Sequence, residues 1–299
     1  MKQDHGAHAH DLDPASPEHR EDSIELLFQT HFSQRYGAGV PVTADKAASA
    51  VRLREVWREH RVGATVGVDV DRFVEDAFLS LQYAYNRKYG QWDKVNDLRA
   101  LYQDTWHARI APFTSALPQD ATVLGVGAND GREVRQLFGD RDIAIDLLDI
   151  SSEAISRLGG QLGEFRAVRG FVGSFEDWRP VAADYDLFFS LRTLNSTSVD
   201  RAACVRKSVS LVRPGGTLVY SVSNGYIHEV DGVPRAVRGM FSYDTATIDA
   251  ERPKAIAHEI VDLLCAEDVT VVDVADEPTE IFIIAQKKQS GKVSVHGEL

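Results

Sequence analysis

From Pro118 onward, short apolar runs alternate with amphipathic stretches, and this alternation restricts the chain to few architectures. Runs over 121–126, 143–150, 165–171, 185–191 and 217–222 read as strands. Stretches over 132–138, 153–162, 200–212 and 252–266 read as helices. Strands that alternate with helices pair in parallel, with helices on both faces of the sheet. Pro214-Gly215-Gly216 reads as a turn before the fifth strand. Segments 269–274 and 280–286 have no helix between them, which predicts an antiparallel pair at one sheet edge. The expected fold is α/β: a Rossmann-like, seven-stranded, mostly parallel sheet closed by an antiparallel C-terminal hairpin.

Before Pro118 the pattern is helical. Val70, Phe73, Val74, Ala77, Phe78 and Leu81 fall on one helix face. Val95, Leu98, Tyr102, Trp106 and Ile110 repeat that spacing after a break at Gly90-Gln91-Trp92-Asp93. Earlier helices are expected over 44–61 and, shorter, over 23–36. The chain thus divides into a polar tail at 1–20, expected to be disordered, and a helical lid or substrate domain at 21–117. A sheet domain follows at 118–289, then a second disordered tail at 290–299. His5, His8 and His10 lie in the first tail with no framework to close a metal site.

Charge narrows the function classes. Against 33 Lys and Arg stand 45 Asp and Glu, a net charge of −12 that repels phosphate backbones. No nucleic acid is therefore expected as a partner. No apolar run is long enough to cross a bilayer. The first twenty residues lack the apolar core of a secretory signal, so a cytoplasmic protein is expected. The two cysteines, Cys204 and Cys265, lie in apolar helical contexts and read as reduced core thiols.

The strongest local signal is Val123-Leu124-Gly125-Val126-Gly127-Ala128-Asn129-Asp130-Gly131-Arg132-Glu133. An apolar strand enters a small-residue turn and leaves as a helix. Glycines there let backbone turn sharply and approach a ligand. Asp149 ends the next strand, placed to accept hydrogen bonds from two ribose hydroxyls or to cap the helix that follows. Gly173-Ser174-Phe175-Glu176-Asp177-Trp178 follows the third strand, where a polar group can read an adenine amino group and an apolar ring can pack on the base. Phe188-Phe189-Ser190-Leu191-Arg192-Thr193-Leu194-Asn195 ends the fourth.

With these motifs in place, residues 118–288 resemble a class I S-adenosylmethionine-dependent methyltransferase of the small-molecule type. The family's acid-x-Gly-x-Gly-x-Gly motif falls on 125–131, its ribose carboxylate on Asp149 and its adenine loop on Gly173 to Asp177. Its Pro-Gly-Gly falls on Pro214 to Gly216. The resemblance implies S-adenosyl-L-methionine as cofactor, held by Gly125, Gly127, Asn129, Gly131, Asp149, Ile150, Ser174, Phe175 and Ser190. Three positions depart from the family. Its leading acid is Gly125, its middle glycine is Asn129, and its adenine-reading Asp is Ser174. A dinucleotide site is a weaker fit, since the spacing is Gly-x-Gly-x-x-x-Gly.

Ligands in such sheets lie beyond the carboxyl ends of the strands. Candidates there are Arg192, Thr193, Asn195 and Ser196 after the fourth strand, and Ser221, Ser223, Asn224, Tyr226 and His228 after the fifth. The helical segment adds Tyr83, Tyr85, Tyr89, Trp92, Tyr102 and His107, which serve either core or pocket. Tyr85, Arg192 and Asn195 are the expected catalytic set. An aromatic face attracts a sulfonium, and Arg or Asn suits a substrate carboxylate or amide. No metal-ligand spacing appears, so no metal is expected. The expected partner is a small molecule, with no membrane, and a homodimer is compatible with this reading. Three functions compete: methyl transfer to an amino acid, amine or natural-product intermediate; a cofactor-consuming cyclisation of the azetidine-2-carboxylate type; and a non-catalytic binding module.

Overall fold

The computed structural model describes residues 28, 32, 36, 46–60, 69–90, 108–128, 131–139, 141–162, 167–180, 184–195, 199–223, 227–230, 233–236, 251–277 and 280–289. Two helices precede the sheet, α1 (Lys46–His60) and α2 (Val70–Gly90), and residues 108–115 are helical. The sheet domain runs β1 (Thr122–Val126), α3 (Arg132–Phe138), β2 (Ala144–Asp149), α4 (Ser152–Ser156), α5 (Leu158–Leu162) and β3 (Ala167–Val172). It continues through β4 (Tyr185–Leu191), α6 (Arg201–Leu211), β5 (Val212–Ser223), β6 (Ile227–Val230) and β7 (Val233–Ala236). The last elements are α7 (Glu251–Cys265), β8 (Val269–Asp276) and β9 (Glu280–Lys287). Both polar tails lie outside the described residues.

Seven strands form one sheet in the order β3-β2-β1-β4-β5-β9-β8. β1 to β5 pair in parallel, and β9 runs antiparallel to both β5 and β8. This is the doubly wound, Rossmann-like sheet with the antiparallel hairpin expected from the strand pattern. Its central strands are covered on both faces, which is why they read as mostly apolar runs rather than as alternating ones. Leu187 and Phe189 of β4 face a core shared with α3, α4 and α5. Phe188 between them faces a second core built with α6 and α7. The first core also holds Phe28, Phe32 and Phe73, so the N-terminal helices and that sheet face are packed together.

Several elements depart from expectation. The helix over 153–162 is two short ones, broken after Ser156 next to the Gly159-Gly160 pair. Pro214-Gly215-Gly216 lies within β5 rather than ahead of it. Val212 pairs with Tyr185 and Thr217 with Leu187, so the four residues Arg213 to Gly216 stand opposite Asp186 alone and form a bulge, with Gly215 at φ 78°. After β5 the chain forms a hairpin, β6–β7, that the strand pattern does not predict, with His228 opposite Arg235. Cys204 is buried as expected, whereas Cys265 ends α7 exposed. Among the described residues, no helix is long and apolar enough to cross a membrane, and no group of three or more His, Cys, Asp and Glu is arranged to hold a metal ion.

Candidate functional site

β1 lies between β2 and β4, so the chain leaves it in opposite directions and opens a crevice at the strand ends. Backbone bonds tie that edge together. Gly127 N–H donates to Leu148 O at 2.8 Å and Gly173 N–H to Asp149 O at 2.9 Å. Beside them lies a cavity. Leu148, Phe175, Phe188, Leu194, Val199 and Tyr220 give it apolar walls. Asp149, Ser174, Glu176, Ser190, Arg192, Thr193 and Cys204 bring polar groups to it, and Tyr85 reaches it from α2.

Asp149 is 5% exposed at the end of β2, and its Oδ1 accepts the Ser151 N–H at 2.8 Å. The helix-capping role that Asp149 might have served falls instead to Ser151, whose Oγ accepts the Ala154 N–H at 3.2 Å. Ile150 lines the cavity next to it.

The glycine turn is demanded by the protein as much as by any ligand. Gly127 lines the cavity at φ 71°, and a Cβ there would lie 1.8 Å from Thr193 Oγ1. That hydroxyl donates to Val126 O at 3.1 Å and so closes the turn from β4. Gly131 is outside the cavity lining. It precedes α3 at φ 81°, and a Cβ there would meet Leu162 and Leu158 at 2.8 and 2.9 Å. Gly125 also lies outside the lining. A Cβ on it would stand 2.4 Å from the Phe189 ring and 2.8 Å from Leu147, so those side chains fill the space an acid would need. Asn129 and Asp130 lie outside the described residues.

Ser174 and Phe175 line the cavity as expected, and the loop adds a carboxylate that the sequence reading passed over. Glu176 Oε2 accepts the Ser174 hydroxyl at 3.0 Å, and its Oε1 accepts the Asp200 N–H at 3.2 Å. Burial raises its pKa above the usual carboxylate range, and these hydrogen bonds, with one from the Cys204 thiol, oppose the rise. The Cys204 thiol is itself pushed up, first by burial and then by the Glu176 charge. Lys207 holds the loop by donating to the carbonyls of Phe175, Glu176 and Trp178, with its ammonium 5.1 Å from the Phe175 ring centre. Desolvation lowers its pKa. Only α6 brings Asp200, Cys204 and Lys207 to this loop, so no local pattern marks Glu176.

The end of β4 divides into two roles. The Ser190 hydroxyl is buried in the cavity wall with no hydrogen-bond partner among the described residues. Arg192 also lines the cavity, at φ 58°, but its guanidinium is committed to Glu280, the first residue of β9, with Nε to Oε1 at 2.9 Å. Ser221 Oγ donates to the same carboxylate at 3.1 Å and accepts the Arg192 N–H at 3.1 Å. Asn195 does not line the cavity. From the helical segment Tyr85 does, whereas Tyr83 is 46% exposed. Ser196, Asn224, Tyr226, Trp92, Tyr102 and His107, and the side chains of Tyr89, Ser223 and His228, lie outside the described residues.

No family model matches the chain, and no curated protein matches it. Solved structures do. The N-methyltransferase NodS from Bradyrhizobium japonicum, in complex with S-adenosyl-L-homocysteine, is 14% identical over 62% of this chain and 87% of its own, with a TM-score of 0.46. A SAM-dependent methyltransferase from Methanosarcina mazei is 15% identical over 59% and 96%, at 0.42. The [4+2]-cyclase SpnF is 12% identical over 62% and 81%, at 0.46.

Proposed function

We propose that the chain binds S-adenosyl-L-methionine in this cavity and transfers its methyl group to a small molecule, such as an amino acid, an amine or a natural-product intermediate. The observation that carries the reading is Asp149, a buried carboxylate at the end of β2 on the wall of an apolar cavity at the sheet's switch point. The donor set fits a nucleoside with an amino-acid tail. Asp149 suits the ribose hydroxyls. Ser174 and Glu176 suit the exocyclic amine of the base, with Phe175 and Ile150 beside it. The buried Ser190 hydroxyl, which lacks a partner among the described residues, suits a polar group of the tail. When bound, the cofactor supplies a methyl group already activated by its sulfonium. The protein's part is to bind, orient and exclude water. α2 closes one side of the cavity, and the Tyr85 ring suits a sulfonium neighbour. In this reading residues 21–117 are the lid and 118–289 the cofactor domain, in a cytoplasmic enzyme whose surface charge disfavours nucleic acid.

Phe189 and Leu147 favour a second reading. By filling the space beside Gly125 they leave no room for the acid that would hold the cofactor's amino group, which supports an enzyme that consumes S-adenosylmethionine without methylating. The two readings separate by product. Incubation with S-adenosylmethionine and a panel of amino acids, amines and phenols, read by mass spectrometry, gives S-adenosylhomocysteine and a methylated acceptor in the first case. It gives methylthioadenosine in the second. Calorimetric binding of S-adenosylhomocysteine with neither product identifies a non-catalytic module.

A further inference from the structure

Tyr85 lines the cavity, and the residue beside it on α2 binds the far side of the same wall. Asn86 Oδ1 accepts the Ser151 hydroxyl at 2.8 Å, and the Ser152 hydroxyl and Glu153 N–H at 3.4 Å each. Its Nδ2 donates to Ser152 Oγ at 3.3 Å. One turn earlier, Gln82 Nε2 reaches Ile150 O at 3.5 Å. Helix α2 is thus fastened to the first turn of α4, within two residues of Asp149.

Ser151 sits at the centre of this arrangement, wholly buried. Its hydroxyl has one proton, given to Asn86, and its lone pairs accept the Ala154 N–H. Its backbone N–H holds Asp149 Oδ1. Without Asn86 the hydroxyl loses the acceptor that fixes its rotor. The cap on α4 and the backbone that orients Asp149 then lose their common anchor.

We propose that Asn86 is a positioning residue for nucleoside binding. It sets the Asp149 carboxylate through Ser151 and couples the docking of α2 to the filling of the cavity. This rests on the assignment of Asp149 to the ribose. The coupling is reciprocal: a ligand that holds Asp149 in place tightens α2 against α4.

The test is a double-mutant cycle on S-adenosylhomocysteine affinity, measured by calorimetry on the full chain with Asn86→Leu, Asp149→Ala and the pair. Asn86→Leu is expected to weaken binding by about tenfold, the equivalent of one hydrogen bond. In the Asp149→Ala background it is expected to change the dissociation constant by less than about twofold. Asn86→Ala removes the same bonds without a larger side chain and serves if the leucine variant does not fold. Phe73→Leu, in the N-terminal part of the core, controls for general loosening of that segment. It should lower the melting temperature and leave affinity unchanged. An equal loss from the Asn86 substitution in both backgrounds would overturn the coupling. So would unchanged affinity in the Asn86 variant, or the same affinity loss in Phe73→Leu. A parent that binds no S-adenosylhomocysteine overturns the nucleoside reading itself, and the proposal with it.

Discussion

Arg192 and Glu280 form the most consequential ion pair of the site, and its size can be worked out. The two side chains are 7% and 1% exposed, with Nε and Oε1 2.9 Å apart. At an effective dielectric near 20 the gross attraction at that separation is about 6 kcal/mol, set against the several kcal/mol each ion loses on leaving water. The net worth of the pair is therefore small, but removing one partner takes the opposite charge away from the other in a buried place. Glu280→Ala leaves a buried guanidinium and takes an acceptor from Ser221 Oγ. The expected cost is about 3–5 kcal/mol. With a urea m-value of about 3 kcal/mol/M, the unfolding midpoint should fall by about 1–1.7 M. Arg192→Met should cost a similar amount, because it leaves the buried Glu280 carboxylate without its opposite charge. The double variant Arg192→Met with Glu280→Leu replaces the pair by apolar side chains of similar length. It should return to within about 1 kcal/mol of the parent. Urea unfolding followed by circular dichroism reads all four proteins. Single variants that lose less than about 1 kcal/mol, or a double variant no more stable than the worse single, would refute the reasoning. Arg192 would then return to the substrate-binding role its sequence position suggests.

Three further outcomes are expected. Asp149→Ala should weaken S-adenosylhomocysteine binding by about 1.5–3 kcal/mol through loss of charge-assisted hydrogen bonds, and unchanged calorimetric affinity in the folded variant would remove the ribose assignment. Gly127→Ala should destabilise the fold itself by about 2 kcal/mol or more, since the φ of 71° and the Thr193 contact both oppose a side chain; parental thermal stability would contradict this. Glu176 has its pKa raised by burial, so the folded protein holds that proton at pH values where the unfolded chain has released it. Stability from this group is greatest below the unfolded carboxylate pKa and falls as pH rises towards the raised folded value. Glu176→Gln should remove that downward slope in unfolding free energy above about pH 4.3, and an identical slope in the variant would show that the group does not titrate as described.

The central sheet was readable because burial on both faces writes β1, β2 and β4 as mostly apolar runs, broken inside the strands by Asp146 in β2 and by Asp186 and Ser190 in β4. Asp149 was readable because the strand pattern ends on it. The hairpin β6–β7 was missed although Asp231-Gly232, a common hairpin dipeptide, stands between Val230 and Val233 in the sequence. The bulge in β5 was missed because Pro and Gly ordinarily break a strand, and here the break is absorbed within it. Within the site, what escaped the sequence is what long-range pairing decides. Thr193 closes on Val126 across 67 residues, Ser151 on Asn86 across 65, and Ser221 on Glu280 across 59. Nothing near Arg192 in sequence shows the Glu280 carboxylate that pairs with it in the cavity wall.

The placement of β9 between β5 and β8 has a consequence for how the protein is made. On the ribosome β5 emerges long before β9, and until 280–287 appears it has an open hydrogen-bonding edge and no neighbour on that side. β8 emerges just ahead of β9 and joins the sheet only through it. The same late strand brings Glu280 to Arg192, so this buried ion pair forms only when the sheet is completed. A nascent chain halted before Glu280 therefore lacks the carboxylate that Arg192 pairs with in the finished fold and presents an open strand edge, a template for pairing with another chain.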